Sequence, residues 1–227
     1  MSLGALSSRP FFPHWYKSMT NDFVHRWVPG TSGKTVLLLH GTGGDENDLL
    51  ELGRMVAPDA AFLSPRGKVL ERGMPRFFRR LSEGVFDLDD LRLRTHDLAD
   101  WLASAAAKYE FDPASVTVLG YSNGANIAAS MLLLRPSSIA NAVLLRAMLP
   151  FEPEESPGLS GKRILMSNGK NDPIIPMASS TRLAEILKAS GADVKFNVSN
   201  GGHGLEQGDI TQAHAWYQAL DASYAKS

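Results

Sequence analysis

Short apolar runs recur along this chain and are separated by stretches with helical spacing. Thr35-Val36-Leu37-Leu38-Leu39, Ala60-Ala61-Phe62-Leu63, Ser115-Val116-Thr117-Val118-Leu119, Ala142-Val143-Leu144-Leu145-Arg146, Arg163-Ile164-Leu165-Met166-Ser167 and Val194-Lys195-Phe196-Asn197-Val198 have the length and branched content of strands. An unbroken apolar run such as residues 35–39 suits a strand covered on both faces of a parallel sheet. Phe23 to Val28 alternates weakly, as an edge strand does. In Thr95 to Tyr109, Leu98, Trp101, Leu102, Ala105 and Ala106 fall at intervals of three and four, which predicts an amphipathic helix. Asn126 to Arg135, Ser180 to Ser190 and about Gln207 to Ser223 also read as helices, the first stopped by Pro136 and the second by Gly191. Alternating strands and helices predict an α/β fold with a mostly parallel central sheet and helices on both faces, in one domain over residues 1–227.

Three segments lack a period. Residues 1–20 are irregular but aromatic (Phe11, Phe12, Trp15, Tyr16), which suggests a segment lying over the core or a partner surface and leaves a homodimer open. Residues 68–94 and 148–161 read as loop excursions near the site. Long excursions in compact domains are often functional, and Met74, Phe77, Phe78 and Phe86 are expected to wall a substrate pocket. Arg72, Arg76, Arg79 and Arg80 in the first excursion read as a solvated basic face, with an anion site as the alternative.

Composition narrows the function. Among 227 residues, 23 are Lys or Arg and 24 Asp or Glu, for a net charge of −1, so nothing favours nucleic acid or an anionic surface as partner. There is no cysteine, which removes disulfides, thiolate metal sites and a cysteine nucleophile together and suits a cytoplasmic protein. No run reaches the ~18–20 apolar residues of a membrane span, and the N-terminus carries no secretory pattern.

The candidate chemistry centres on Gly120-Tyr121-Ser122-Asn123-Gly124, between a predicted strand and a predicted helix. That context matches the G-x-S-x-G nucleophile elbow, where a sharp turn holds the serine clear of the sheet at a helix N-terminus. A serine hydroxyl needs a base, and the base needs an anion to orient it. Asp172, in Gly169-Lys170-Asn171-Asp172-Pro173, and His203, in Gly201-Gly202-His203-Gly204, each follow a predicted strand. The order Ser122, Asp172, His203 is that of the elbow fold. Asp193, Glu206 and Asp209 are rival acids and His214 a rival base; the first precedes its strand and the others sit in or beside the closing helix. His40-Gly41-Thr42-Gly43-Gly44 ends another strand, where glycines let backbone N–H groups converge on an anion. His40 reads as a residue that orients this loop, and Asp45 and Asp48 as helix-start residues, not metal ligands. Gly33-Lys34-Thr35 is no phosphate loop, because Val28 stands where the first glycine belongs and a strand follows.

With Leu37 to Asp45, Gly120 to Gly124, Gly169 to Pro176 and Gly202 to Gly204, the chain resembles the α/β-hydrolase superfamily in its carboxylesterase/phospholipase-like branch, which includes acyl-protein thioesterases. Ser64-Pro65-Arg66-Gly67 and Phe77-Phe78 resemble more narrowly a bacterial carboxylesterase subgroup of hydroquinone-responsive operons. The resemblance implies hydrolysis of a small-molecule ester or thioester without metal or cofactor, with the backbone N–H groups of Thr42 and Asn123 as the oxyanion hole. It implies a carboxylesterase first. The alternatives are a thioesterase or lysophospholipase, and a binding protein that retains the site. Dienelactone hydrolases of similar fold carry cysteine at the elbow, so serine argues against their activity here.

Overall fold

The computed structural model describes residues 22–224, with side chains described as far as Leu220. The expectations for residues 1–20 therefore lie outside the described residues. Seven strands form one sheet: β1 (His25–Val28), β2 (Thr35–Leu39), β3 (Ala61–Pro65), β8 (Thr117–Tyr121), β9 (Asn141–Leu145), β10 (Arg163–Gly169) and β11 (Asp193–Ser199). Their spatial order is β1-β3-β2-β8-β9-β10-β11. Only β1 runs antiparallel, pairing with β3 at the edge; every other pairing is parallel.

The strands are apolar on both sides because helices cover both faces. Side chains alternate along a strand, so Leu37 and Leu39 of β2 enter one core and Val36 and Leu38 the other. The first core is closed by α2 (Leu88–Tyr109), α3 (Asn123–Leu134) and α4 (Met177–Ala189). The second is closed by α1 (Leu50–Val56) and α5 (Gln207–Tyr224), through Leu52, Val56, Trp216 and Leu220. The α3 helix is buried along nearly its whole length, as its Ala, Ile, Met and Leu content requires.

The excursion predicted over residues 68–94 is more ordered than its composition suggests. It holds two hairpins, β4 (Val69–Glu71) with β5 (Met74–Arg76) and β6 (Arg80–Ser82) with β7 (Val85–Phe86). Arg72 and Gly73 both take positive φ (51° and 83°), the turn geometry that joins a tight hairpin. Its last residues already belong to α2, which begins at Leu88 and not at Thr95. Asp87 caps it by accepting from the Asp90 N–H. Charged residues crowd this first turn and hide the spacing of Leu88, Leu91, Thr95 and Leu98. Asp45 and Asp48 do not start a helix either: turns intervene and α1 opens at Leu50, while Asp45 accepts from the Asn47 N–H. Residues 148–161 contain no helix or strand.

Candidate active site

The loops that follow β2, β8, β9, β10 and β11 meet at the C-terminal edge of the sheet, where open parallel sheets bind ligands. β8 runs through Gly120 and Tyr121 and stops at Ser122, whose backbone takes φ 51° and ψ −112°. Such a conformation costs a non-glycine residue about 1–3 kcal/mol and must be held from outside. Ser122 N–H donates to Leu145 O, and Asn126 N–H donates to Ser122 O, both at 2.9 Å. A Cβ on Gly120 would lie 2.6 Å from Gly124 O, and one on Gly124 would overlap the carbonyl of Leu39. The elbow glycines are there for close approach, and Gly124 seats the α3 N-terminus against the end of β2.

Ser122, His203 and Asp172 come together. Ser122 Oγ lies 3.0 Å from His203 Nε2, and His203 Nδ1 lies 2.8 Å from Asp172 Oδ2. The Asp172 side chain is fully buried, and its Oδ1 accepts from the N–H groups of Ile174 (2.8 Å) and Ile175 (3.1 Å). An acceptor-only carboxylate at Nδ1 puts the ring proton there and leaves the Nε2 lone pair facing the serine. The two loops are packed tightly, since a Cβ on Gly169 would overlap the carbonyls of Gly201 and Gly202.

Thr42 and Asn123 line the same cavity as Ser122 and His203. Their backbone N–H groups have no hydrogen-bond partner among the described residues. By contrast, Gly43 N–H is taken by Pro75 O and Gly44 N–H by Gly41 O. His40 sits behind this loop, buried against Phe77: its Nδ1 lies 2.6 Å from Gly41 O, and its Nε2 accepts from Gly67 N–H at 3.0 Å. Burial holds its pKa below the ordinary value, in keeping with a neutral ring that orients the loop.

Three of the four rival groups are engaged elsewhere. Asp209 pairs with Arg146, Asp193 lies 3.7 Å from Arg163, and His214 bonds Val56 O. Of the four residues expected to wall the pocket, only Phe86 lines the cavity. Phe77 and Phe78, in the link between the two hairpins, turn into the core, and Met74 stands 40% exposed beside Gly43. The basic face divides as well: Arg79 pairs outward with Asp87, while Arg76 and Arg80 line the cavity. Among the described residues, no three His, Asp or Glu side chains gather as a metal-ligand set.

Three supports have no counterpart in the sequence reading. Arg146 follows β9 with φ 59° and is fully buried. Its Nε donates to Gly202 O (3.0 Å) and its Nη2 to Gly204 O (2.7 Å), the carbonyls on either side of His203. Asp209 accepts from Arg146 Nη1 (3.0 Å) and Nη2 (2.7 Å), from Ser167 Oγ and from Glu206 N–H. Burial alone would push Asp209 up; the bonds from Arg146, Glu206 and Ser167 outweigh it and hold the carboxyl below its ordinary value. Tyr121 Oη donates to His203 O at 3.0 Å, and burial pushes this phenol up. Arg76 Nη1 donates to Thr42 Oγ1 at 2.5 Å, reaching the residue whose N–H is free.

The family profile of phospholipases and carboxylesterases matches residues 30–219. The Bacillus subtilis (strain 168) protein named "Putative hydrolase MhqD" is 46% identical over 194 residues, which cover 86% of this chain and 97% of that protein. A crystal structure of the Bacillus cereus carboxylesterase superposes with a TM-score of 0.84 at 43% identity, over 90% of this chain and 96% of the other. YahD, solved with malic acid, superposes with a TM-score of 0.81 at 32% identity, over 87% of this chain and 98% of the other. No helix among the described residues is long and apolar enough to cross a membrane. With its parallel sheet, its serine elbow and these likenesses, the chain belongs to the phospholipase/carboxylesterase family of α/β-hydrolase fold.

Proposed function

We propose that this hydrolase is a serine carboxylesterase that cleaves small carboxylic esters through an acyl-enzyme on Ser122. The observation that carries the reading is the continuous hydrogen-bonded line from Ser122 Oγ through His203 to the buried Asp172, beside two free backbone N–H groups. His203 Nε2 takes the Ser122 proton as Oγ attacks the ester carbonyl. The N–H groups of Thr42 and Asn123 receive the charge that develops on the carbonyl oxygen; one such donor is typically worth about 2.7–4 kcal/mol. His203 then protonates the departing alkoxide, and the acyl group remains on Ser122. A water molecule, deprotonated by His203, attacks the acyl carbonyl; the acid leaves and the proton returns to Ser122. Asp172 stays ionised throughout and balances the charged imidazole.

A cavity of about 310 Å³ supports a small substrate, being at the lower end of ligand-site volumes. The likeness to YahD, solved with malic acid, points the same way. Hydrolysis of p-nitrophenyl esters from acetate to decanoate, with wild type beside Ser122→Ala, tests the reading. Turnover is expected to peak at short chains and to fall at least a thousandfold in the variant, on the order seen when a nucleophile is removed. Activity that survives in Ser122→Ala, or the absence of turnover with every ester, overturns it. A peak at long chains moves the reading to lipid or acyl-protein substrates.

A further inference from the structure

One wall of the cavity is cationic. Arg76, on β5, is only 3% exposed yet lines the space beside Ser122. Its Nη1 is bonded to Thr42 Oγ1 and its Nε to Phe78 O. Arg80, on β6, lines the same space. A single carboxylate, Glu71, serves both: it accepts a bidentate pair from Arg80 (2.8–3.1 Å), and its Oε2 lies 3.3 Å from Arg76 Nε. Two guanidiniums thus share one counter-charge. Glu83, exposed at the rim, has no ion-pair partner among the described residues and does not neutralise either.

The neutral polar groups of the cavity lean the same way. Asn123 Oδ1 accepts from Phe77 N–H, which fixes the amide orientation, and its buried Nδ2 has no partner among the described residues. Asn126 Oδ1 is likewise taken by Met148 N–H. Both amides have therefore committed their acceptors and kept their donors. A buried donor without an acceptor is costly, and a guanidinium withdrawn from water binds carboxylate strongly and with defined geometry.

We propose that the ester cleaved at Ser122 carries its own carboxylate, which Arg76 and Arg80 hold against the cavity wall. This rests on the esterase reading above and names its substrate class. Arg76 is bonded to the side chain of the residue that supplies a free N–H, so the carboxylate lies within a few bonds of the scissile carbonyl. That distance excludes the remote phosphates of an acyl carrier as its source. The charged group belongs either to the acid half, as in a dicarboxylic half-ester, or to the alcohol half, as in an acylated hydroxy acid.

The test compares kcat/KM for monoethyl glutarate with that for its terminal amide, and for γ-acetoxybutyrate with that for its amide, following acid release. Wild type is expected to favour one charged ester over its amide by about tenfold or more, as a partly buried charge-assisted pair would give. The favoured pair tells which half carries the charge. In Arg80→Met and Arg76→Met the charged-to-neutral ratio is expected to fall toward one, and in Arg76→Lys to recover in part. The ratio is read within each variant, so a general loss of activity cancels. Should the variants not fold, wild type alone decides: glutarate must compete with a neutral ester at least tenfold better than glutaramide does. A ratio at or below one for both pairs, a preference that survives both methionine variants, or equal competition by glutaramide overturns the proposal while neutral esters are still cleaved. Failure with all esters, neutral ones included, overturns the esterase reading itself.

Discussion

At Ser122 a strained backbone and two close glycine contacts hold one hydroxyl against one imidazole nitrogen. The strain persists because Leu145 O and Asn126 N–H hold the residue from both sides. His40 shows how the supporting residues are tied to pH. Its neutral ring bonds Gly41 O and accepts from Gly67 N–H, and burial lowers its pKa from the ordinary 6.5. The unfolded chain therefore takes up a proton there before the folded one does. The stabilisation is full above about pH 6.5 and is lost as the pH falls from there toward the folded value. Urea midpoints are expected to drop between pH 7.5 and about pH 5 in wild type. In His40→Gln part of that slope should disappear, whatever the variant's absolute stability; an unchanged slope would show that His40 does not titrate on unfolding.

At the level of elements, the loop carrying His203 is held from beneath by the residue that follows β9. Arg146 bonds the carbonyls flanking His203, and Asp209 at the start of α5 holds Arg146. A fully buried ion pair is no free gain in stability, but removing one partner strands a charge, at about 3–5 kcal/mol. Arg146→Met is expected to lose stability of that order by chemical denaturation. Arg146→Met with Asp209→Leu should recover a good part of it, because no buried charge remains unpaired. Both variants free the His203 loop from its brace, so kcat on a small ester should fall about tenfold or more while KM moves little. Full activity in the stable double variant would mean that Arg146 serves stability alone. The same logic explains why α2 begins earlier than its apolar spacing suggests. Asp87 caps it, and Asp90, buried in its first turn, accepts from Arg79 N–H at 2.7 Å, fastening the helix to the hairpins beside the cavity.

Across the whole molecule, the buried sheet and the thin hairpin rim of the cavity are expected to differ in local opening. The hairpins β4–β5 and β6–β7 are two or three residues deep, and Leu70, Leu81 and Val85 on them are exposed. The strands β8, β9 and β10 are buried on both faces. Native-state hydrogen exchange should therefore be faster at amides of residues 69–86 than at Val118, Leu144 and Met166, which should exchange only by global unfolding. Equal protection would mean that the cavity rim and the sheet open as one unit.

The parallel sheet and its order of elements were legible in the residues because a strand buried on both faces must be apolar throughout, as at Val36 to Leu39. The elbow was legible because only glycine fits at 120 and 124, where a Cβ would strike backbone. The glycine loops around Thr42, Asp172 and His203 stand out for similar local reasons. Those constraints act within a few residues of sequence, so composition and spacing record them.

What the residues could not disclose depends on partners distant in the chain. Phe77 and Phe78 read the same in sequence whether they face a pocket or the core, and only the tertiary packing between the two hairpins and the core buries them. Arg146 reads as the polar end of a strand until Gly202, Gly204 and Asp209 close around it. The four arginines of the excursion are alike in sequence, yet folding sends Arg79 outward to Asp87 and brings Arg76 and Arg80 into the cavity. Strand, helix and elbow are thus set by local sterics and burial. The character of the cavity wall is set by which side chains long-range packing turns toward it.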